Sequence, residues 1–387
     1  MIQTSTLKSI SEFIRTGKTP PTQEIKYFNG EVQWFTPGDL DKEKYLGKSM
    51  RSLTEASFID KKATYFPAGT LLVACIGDIG KLGITTQDCS SNQQITGIKP
   101  NTSTDVNYLY YWFRYSKMVI QHFANNAVVP IINNGTLEKI KISLPPLADQ
   151  QKIASILDAA DSLRQKDQQL IEKYTALSQS LFLEMFGDPV SNPMGWDKKP
   201  LKDVGIVRTG NTPSRENLEY YGTHIEWIKT NNINTPSIYL TPAEEYLSEA
   251  GLKVGRCVNA GSLLVTCIAG SKSVIGNVAI ADRKVAFNQQ INSFTPFEGN
   301  VLFFYSLFKA GKKHIQSFST DSMKGMINKS KFERIDFITP PLELQNQFAE
   351  RIQLIEAQKQ QAQASLQKSE ALFNSLLQRA FKGELTA

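Results

Sequence analysis

The chain has 387 residues, of which 41% are hydrophobic and 21% charged, and its formal net charge at pH 7 is +6. No segment approaches the roughly 18 consecutive apolar residues that a membrane-spanning helix needs, and the first residues lack the basic and apolar regions of a secretory signal. We therefore expect a cytoplasmic protein of two or three domains with no membrane partner. Its positive charge allows an acidic partner such as nucleic acid.

An internal duplication with a shift of 192 to 196 residues is the most informative feature of the sequence. The segment 15–20 (RTGKTP) returns as 208–213 (RTGNTP). Further pairs keep the same order along the chain: Trp34 with Trp227, 68–76 with 260–268, 92–95 with 288–291, and 145–147 with 340–342. Chance does not produce so many matches in one order at nearly one offset, so the chain is predicted to be a tandem repeat.

The first part of each repeat, about 145 residues, is typical of a mixed α/β domain. The runs 70–77 (TLLVACIG) and 262–270 (SLLVTCIAG) are short, apolar and bounded by glycine, which predicts buried strands with Cys75 and Cys267 as core thiols. The aromatic runs 108–113 and 301–305 predict a helix docked on the core. A platform for stacking nucleic-acid bases is the alternative, but these runs lack interleaved basic residues.

The second part of each repeat is a predicted long helix that follows a Pro-Pro-Leu segment, where proline prevents an earlier start. Apolar positions alternate in steps of three and four. The two seams are Ile153, Ile156, Ala160, Leu163, Asp167, Leu170, Tyr174, Leu177 and Leu181, and Phe348, Ile352, Ile355, Lys359, Ala362, Leu366, Ser369, Phe373 and Leu376. Helices of about 40 residues, roughly 60 Å long, with so narrow a seam are stable only when paired. Asp167 and Lys359 interrupt the seams; they either fix the register or are solvated flaws, and we favour the second.

A search for catalytic chemistry in the sequence finds no convincing site. The segment 77–82 (GDIGKL) lacks the glycine spacing and the hydroxyl residue of a phosphate loop. The Pro-Pro segments lack the preceding amide or acid and the following aromatic residue that a base-methylating motif needs. Four cysteines without CxxC spacing and three histidines predict neither a zinc site nor a hydrolytic set, and no cofactor-binding turn is visible.

The order of domain, Pro-Pro-Leu and long helix, present twice, resembles the specificity subunit of Type I restriction-modification systems over essentially the whole chain. The most specific pieces are the Thr-Gly-Lys/Asn-Thr-Pro segments, the two downstream tryptophans, the Asn-Gln-Gln segments and the helix openings 144–150 and 340–345. The sequence departs from the commoner opening at Asp149 and Leu344, where that family often has glutamate. This difference concerns only local helix capping.

The resemblance implies a non-catalytic subunit, with no cofactor of its own, that reads a bipartite and asymmetric site in double-stranded DNA. It implies mixed α+β target recognition domains at 1–146 and 188–341, and helices at 147–187 and 342–387 that form an antiparallel coiled coil. It also implies two modification subunits as partners, which methylate adenine with S-adenosylmethionine, and restriction subunits bound through them. The duplication agrees, because equivalent domains about a pseudo-two-fold axis require antiparallel helices.

Two alternatives of other classes stay open. The first is a single-chain restriction or modification enzyme. Methylation of DNA by the purified chain alone would establish it. The second is a tandem scaffold that binds protein or glycan and never DNA. Salt-sensitive DNA binding would exclude it.

Candidate DNA contacts follow from the divergence between the repeats, since equivalent loops with different chemistry are expected to read different half-sites. Amide, hydroxyl and ammonium groups suit base edges and phosphates. The candidates are Lys81, Asn125 and Asn126 in the first domain and Ser271, Lys272, Thr320, Ser322 and Lys324 in the second, with Lys18 as a phosphate anchor. The shared Asn-Gln-Gln segments are interpreted mainly as structural hydrogen-bonders. Stiff helices of fixed length further predict a constant spacer of roughly 5–8 base pairs between the half-sites.

Overall fold

The computed structural model describes residues 3–124, 129–320 and 325–385. It divides into two compact units. Unit 1 comprises Met1–Gln168 and Ala364–Ala387, and unit 2 comprises Gln169–Gln363. Each unit therefore contains one half of the duplicated sequence together with parts of both predicted long helices.

Unit 1 is built on a mainly antiparallel sheet whose central strand is buried along its whole length. Its strands are β1 (Gln3–Thr6), β2 (Ser11–Thr16), β3 (Phe28–Phe35), β4 (Tyr45–Leu46), β5 (Arg51–Leu53), β6 (Leu71–Ala74), β7 (Leu82–Thr85), β8 (Cys89–Ser91), β9 (Ile95–Pro100) and β10 (Lys141–Leu144). Its short helices are α1 (Ala56–Ile59), α2 (Val106–Tyr115), α3 (Lys117–His122) and α4 (Asn134–Lys139), with a 3-10 turn at Ile25–Tyr27. The main sheet has the order β2-β9-β6-β7-β4, with β4 parallel to β7, a second sheet has the order β5-β3-β8, and β1 pairs with β10. The apolar run of β6 is covered on both faces, as its sequence predicted.

Unit 2 repeats this architecture. Its strands are β11 (Lys198–Pro200), β12 (Gly205–Thr209), β13 (Tyr221–Ile228), β14 (Tyr246–Leu247), β15 (Cys257–Val258), β16 (Ser262–Thr266), β17 (Ile268–Ala269), β18 (Val278–Ala281), β19 (Val285–Phe287), β20 (Ile291–Pro296), β21 (Gly325–Met326) and β22 (Asp336–Ile338). The main sheet has the order β12-β20-β16-β18, which matches β2-β9-β6-β7 strand for strand. The duplicated sequence therefore folds as a duplicated sheet.

The remaining elements of unit 2 are short helices and turns, apart from the long helices described below. The helices are α6 (Leu201–Val204), α7 (Glu249–Val254), α8 (Val301–Ala310), α9 (Lys312–Ser317) and α10 (Lys329–Glu333), and the 3-10 turns are Leu218–Tyr220, Thr230–Asn232 and Lys272–Val274. Each unit has one helix rich in aromatic residues, α2 and α8, whose side chains lie in the core. The prediction of a core helix is confirmed, and the aromatic residues are not an exposed stacking platform.

The two long helices are α5 (Leu147–Phe186) and α11 (Leu342–Phe381), each of 40 residues. Both begin directly after a Pro-Pro pair, and a glutamine in the first turn closes each junction in the same way. Gln150 Nε2 donates to the Pro145 carbonyl at 2.8 Å while its Oε1 accepts from the Asp105 amide. Gln345 makes the equivalent bonds to Pro340 and Asn300. These bonds fix the direction in which each helix leaves its domain.

Within each unit the two long helices pack against each other in antiparallel directions. In unit 1, Ser369 Oγ donates to Asp167 Oδ2 at 2.8 Å, and Ile153, earlier in α5, shares a core cluster with Ala380, later in α11. In unit 2, the rings of Phe182 and Phe186 lie 5.7 and 5.3 Å from that of Phe348. The early part of one helix is thus paired with the late part of the other.

The seam predicted for α11 coincides with its inward face, but the middle of the α5 seam does not. In α11, Ile352 is 2% exposed, and Ile355, Leu366 and Leu376 are half-buried. In α5, Ile153 is buried and Ile156 half-buried. Leu163, Leu170 and Leu177, however, are 45%, 42% and 50% exposed.

The inward face of central α5 is polar, since Asp161 and Asp167 are only 3% and 6% exposed. Arg164 bonds Asp161 at 2.9 Å, and Ser178 Oγ donates to the Tyr174 carbonyl. The leucine period in the sequence therefore marks an outer face of this helix. Leu163, Leu170 and Leu177 do not belong to the intramolecular seam.

The interpretation of Asp167 and Lys359 as solvated flaws is wrong. Asp167 is 6% exposed and accepts the hydrogen bond from Ser369, while Lys359 is 5% exposed and pairs with Glu356 at 3.2 Å. Both polar side chains are buried and have specific partners. The Asp167–Ser369 bond joins the two helices and agrees with the register-fixing reading, whereas the partner of Lys359 lies on its own helix.

Candidate nucleic-acid interface

The Thr-Gly-Lys-Thr-Pro loop of unit 1 is held rigidly by the Asn-Gln-Gln segment. A Cβ atom at Gly17 would lie 2.2 Å from Ser91 Oγ and 2.3 Å from the Asn92 carbonyl oxygen, so only glycine fits there. The Lys18 amide donates to the Ser91 carbonyl at 2.9 Å, and the Lys18 carbonyl accepts from Trp34 Nε1 at 3.3 Å. The loop backbone is therefore fixed while the Lys18 side chain stays exposed.

In unit 2 the same contacts hold the equivalent loop, which carries a different side chain. A Cβ at Gly210 would lie 2.2 Å from the Asn288 carbonyl oxygen, and the Asn211 carbonyl accepts from Trp227 Nε1 at 3.3 Å. In each unit the threonine after the Lys or Asn donates its hydroxyl to the middle glutamine, Gln93 or Gln289. The position of Lys18 in one unit is thus the position of Asn211 in the other, on one and the same support.

The outer residues of the Asn-Gln-Gln segments bond to each other, as the sequence interpretation expected. Asn92 Nδ2 donates to Gln94 Oε1 at 3.0 Å, and the Gln94 amide donates to Asn92 Oδ1 at 3.1 Å. Asn288 and Gln290 repeat both bonds at 3.2 and 3.1 Å. These segments are the shared frame of the loop region.

The loop that carries Lys81 lies beside the segment that follows α3. The Gly77 amide donates to the Pro130 carbonyl at 3.0 Å. Lys81 Nζ pairs with Asp78 at 2.7 Å, and this contact holds the pKa of the Asp78 carboxyl below its ordinary value. The pairing offsets the Lys81 charge, so Lys81 is a weaker candidate for a phosphate contact than Lys18. The nominated Asn125 and Asn126 lie outside the described residues.

In unit 2 the nominated residues come from two segments that the short β17–β21 pair joins. Ser271 caps the 3-10 turn that contains Lys272, and Gln316 Nε2 donates to the Lys272 carbonyl at 3.0 Å. On the other segment, the Thr320 amide donates to the Met326 carbonyl, and Met326 donates to Thr320 Oγ1. Ser271, Lys272 and Thr320 therefore belong to one loop region, and Ser322 and Lys324 lie outside the described residues.

Two features of the interface escaped the sequence analysis. One is the pair Lys61 and Lys62, which lines a groove of about 430 Å³ together with Lys18 and Gln93. The other is an adjoining groove of about 460 Å³. Its polar lining includes Thr36, Arg51, Asn92 and Gln94. The dibasic pair is visible in the sequence, but its proximity to Lys18, 43 positions earlier, is not.

The described residues contain little that suggests catalysis. No group of three histidine, cysteine, aspartate or glutamate side chains among them is arranged to hold a metal ion. Burial raises the pKa of the Cys75 thiol to about 11 and that of Cys267 to about 12, as is typical of core thiols. Within the described ranges no helix is both long and apolar enough to cross a membrane.

A family comparison agrees with this duplicated architecture. The model of the Type I restriction modification DNA specificity domain matches residues 2–173 and 193–368, one copy in each half of the chain. The chain belongs to this family. The resemblance inferred from the repeated motifs is thereby confirmed.

Particular relatives match parts of the chain. It is 28% identical over 250 residues to the Type I restriction enzyme MjaIX specificity subunit of Methanocaldococcus jannaschii, and 31% identical over 158 residues to the HindI specificity subunit of Haemophilus influenzae. These alignments cover 59% and 39% of the chain. They span 57% and 33% of the relatives' own lengths.

Solved structures show the same fold over the whole chain. The crystal structure of a Type I restriction-modification system S subunit from M. genitalium has a TM-score of 0.62 at 15% identity, and the match covers 98% of this chain and 96% of that one. A structure from work on complex assembly and conformational transition of the type I R-M system has a TM-score of 0.57 at 14% identity, covering 99% and 98%. The predicted fold class, tandem mixed α/β domains with two long helices, is confirmed.

Proposed function

We propose that this chain is the cytoplasmic, non-catalytic specificity subunit of a Type I restriction-modification system, and that it reads a bipartite, asymmetric DNA site. One observation carries the proposal. Both units hold the loop with the same tryptophan, Asn-Gln-Gln and glycine contacts, yet the loop carries an exposed Lys18 in unit 1 and, in unit 2, a half-buried Asn211 that is bonded to Val254 and Arg256. A shared support with different side chains suits two domains that bind one polymer at two different sequences.

Methylome sequencing of cells with and without the gene tests this function. We expect one asymmetric motif, with two half-sites and a constant spacer of roughly 5–8 base pairs, to lose its methylation when the gene is deleted. A continuous or palindromic motif would contradict the two-domain reading. Methylation by the purified chain alone, with S-adenosylmethionine, would instead establish an enzyme.

We further propose that the outer face of α5 is the docking surface for two modification subunits, through which restriction subunits join. The exposed leucines at 163, 170 and 177 support this, because they recur every seven residues on a helix whose inward face is already paired. A leucine stripe of this period is what a partner helix covers in a coiled coil.

Aspartate substitutions on this face test the docking surface. Leu170→Asp should leave the fold intact, since the side chain is 42% exposed, but should prevent copurification of the modification subunits. Gln169→Asp adds the same charge at the neighbouring exposed position and should have no effect. Normal assembly of Leu170→Asp would show that the partners bind elsewhere.

The helices are also proposed to set the distance between the half-sites. Adding four residues to each helix, after Gln168 in α5 and after Gln363 in α11, preserves the helix pairing inside each unit. Each helix would lengthen by about 6 Å. The methylome should then show the same half-sites with a changed spacer, or no methylation. An unchanged motif at full methylation would mean that the helices do not measure the distance.

A further inference from the structure

The groove beside Lys18 in unit 1 combines three ammonium groups on two separate loops. Lys18 comes from the Thr-Gly-Lys-Thr-Pro loop, and Lys61 and Lys62 come from the turn after α1. All three side chains are exposed, and none has an acidic partner within 4 Å among the described residues. The nearby carboxylate of Asp60 is already bonded to Lys26 Nζ at 3.1 Å and to the Tyr27 hydroxyl at 2.9 Å. The groove therefore carries a net positive charge.

The backbone that holds these lysines is fixed. Beyond the Lys18 bonds described above, the Lys61 amide donates to the Phe58 carbonyl at 3.0 Å and the Lys62 amide to the Ser57 carbonyl at 2.8 Å. Lys61 has a φ of 54°, in the left-handed region that closes the turn. The cations therefore need little ordering of the backbone when an anion binds.

The same two loops meet in unit 2, where Asn211 adds further bonds between them. Asn211, at the position of Lys18, donates from Nδ2 to the Val254 carbonyl at 2.9 Å and accepts from the Arg256 amide at 2.8 Å. Arg256, at the position of Thr64, donates from Nη1 to the Thr209 carbonyl at 2.8 Å, and in unit 1 Thr64 Oγ1 donates to the equivalent Thr16 carbonyl at 3.0 Å. The segment from Leu247 to Gly261 is two residues shorter than the equivalent segment from Leu53 to Gly69, and the pair Lys61 and Lys62 has no counterpart in it. Unit 2 thus uses its polar groups here to close the contact, while unit 1 presents three cations.

We propose that Lys18, Lys61 and Lys62 form a phosphate-binding groove for the DNA backbone beside the half-site of the first domain, and that unit 2 has no equivalent. The proposal rests on the function proposed above. Gln93, which lines this groove, stands between Asn92 and Gln94, which line the adjoining polar groove with Arg51. The groove would then supply positioning contacts to phosphates, beside polar groups that suit base edges.

Salt-dependent DNA binding by the full chain tests the groove. The probe is a fluorescein-labelled 40-base-pair duplex of random sequence, titrated by anisotropy between 50 and 300 mM NaCl, since phosphate contacts are independent of sequence. The variant Lys18→Gln/Lys61→Gln/Lys62→Gln removes three charges. The control Lys152→Gln/Lys166→Gln/Lys173→Gln removes three from exposed positions of α5.

For two or three lost phosphate contacts, the slope of log K against log salt should fall by about 2 to 3, and affinity at 0.15 M should drop roughly 30- to 160-fold. The control variant should match the wild type within about threefold. Equal slopes for both variants would show that the groove does not bind phosphate, without contradicting DNA binding by the chain. If the wild type binds no duplex at any salt concentration, the proposed function itself fails.

Methylphosphonate substitution in a duplex that carries the methylome-defined target locates the groove. Neutral linkages beside the half-site of the first domain should weaken wild-type binding and leave the triple variant unaffected. Linkages beside the other half-site should affect both proteins equally. Equal sensitivity of the two proteins at every linkage would contradict the assignment to unit 1.

Discussion

The buried hydrogen bond between Asp167 and Ser369 gives a quantitative test of how the long helices are held in register. Both side chains are almost fully buried, and Ser369 Oγ lies 2.8 Å from Asp167 Oδ2. Ser369→Ala removes a donor from a buried carboxylate. Hydrogen bonds to charged groups contribute about 1.5–3 kcal/mol, and a stranded acceptor keeps its desolvation cost. We therefore expect a loss of about 1.5–3 kcal/mol in the local stability of the helix pair.

Ser375→Ala is the matched control, because Ser375 is exposed on the same helix. Both substitutions gain about 0.5 kcal/mol of helix propensity, so their difference isolates the hydrogen bond. The reciprocal change, Asp167→Leu, should leave the local stability of the helix pair unchanged or increase it. Ser369 Oγ also contacts the Leu366 carbonyl at 3.0 Å and so keeps a partner, while a buried charge is removed.

Amide hydrogen exchange over residues 364–381 is the appropriate assay, because global unfolding of a chain with two units is not a two-state process. The expected loss corresponds to exchange roughly 10- to 150-fold faster in Ser369→Ala than in Ser375→Ala. If the two variants exchange at the same rate, the carboxylate does not depend on this donor and the argument is refuted. Faster exchange in Asp167→Leu would likewise show that the charge stabilises the pair.

Three further predictions concern the cores and the surface charges. Phe186→Ala should destabilise unit 2 by about 3–5 kcal/mol, measured by amide hydrogen exchange in that unit, because its buried ring lies against three other phenylalanines. Leu177→Ala, at an exposed position, should change stability by less than about 0.5 kcal/mol. The bond from Arg283 lowers the pKa of Glu226, so the stability gained from the ionised carboxylate should be complete above the unfolded-state pKa of about 4.3 and be lost as pH falls through the lower folded value. Glu226→Gln should remove this part of the acid dependence of the urea midpoint. An identical pH profile for the variant and the wild type would contradict this contribution of Glu226. Burial raises the pKa of the Cys267 thiol to about 12, so this thiol should resist iodoacetamide at pH 8 in the native protein and react in urea. Peptide mass spectrometry measures the labelling, and rapid labelling of the native protein would contradict the burial of Cys267.

Local patterns in the sequence determined the architecture of this protein. The duplication predicted two similar domains, the glycine-bounded apolar runs predicted β6 and β16, and the proline pairs predicted where α5 and α11 begin. The spacing of apolar residues also marked the inward face of α11. Such features follow from the sequence alone because backbone conformation and amphipathic period depend on residues close along the chain.

The sequence alone predicted only part of the candidate interface. The loop of Lys18 was predicted because its motif recurs in both halves. Its neighbours Lys61 and Lys62 were missed, since the loops that bring them together are distant in sequence. The ion pair between Lys81 and Asp78, which weakens a predicted contact, also required the folded loop.

Tertiary structure alone decided which polar groups are buried and which leucines are not. Asp167 interrupts the heptad pattern and was read as a solvated flaw, yet a serine some 200 residues away provides its donor. Leu163, Leu170 and Leu177 continue the pattern and were read as seam, yet they lie on the outer face. Periodicity shows which residues share one side of a helix. Which side meets the neighbouring helix depends on partners from the rest of the chain, and a polar side is buried only where those partners satisfy its hydrogen bonds.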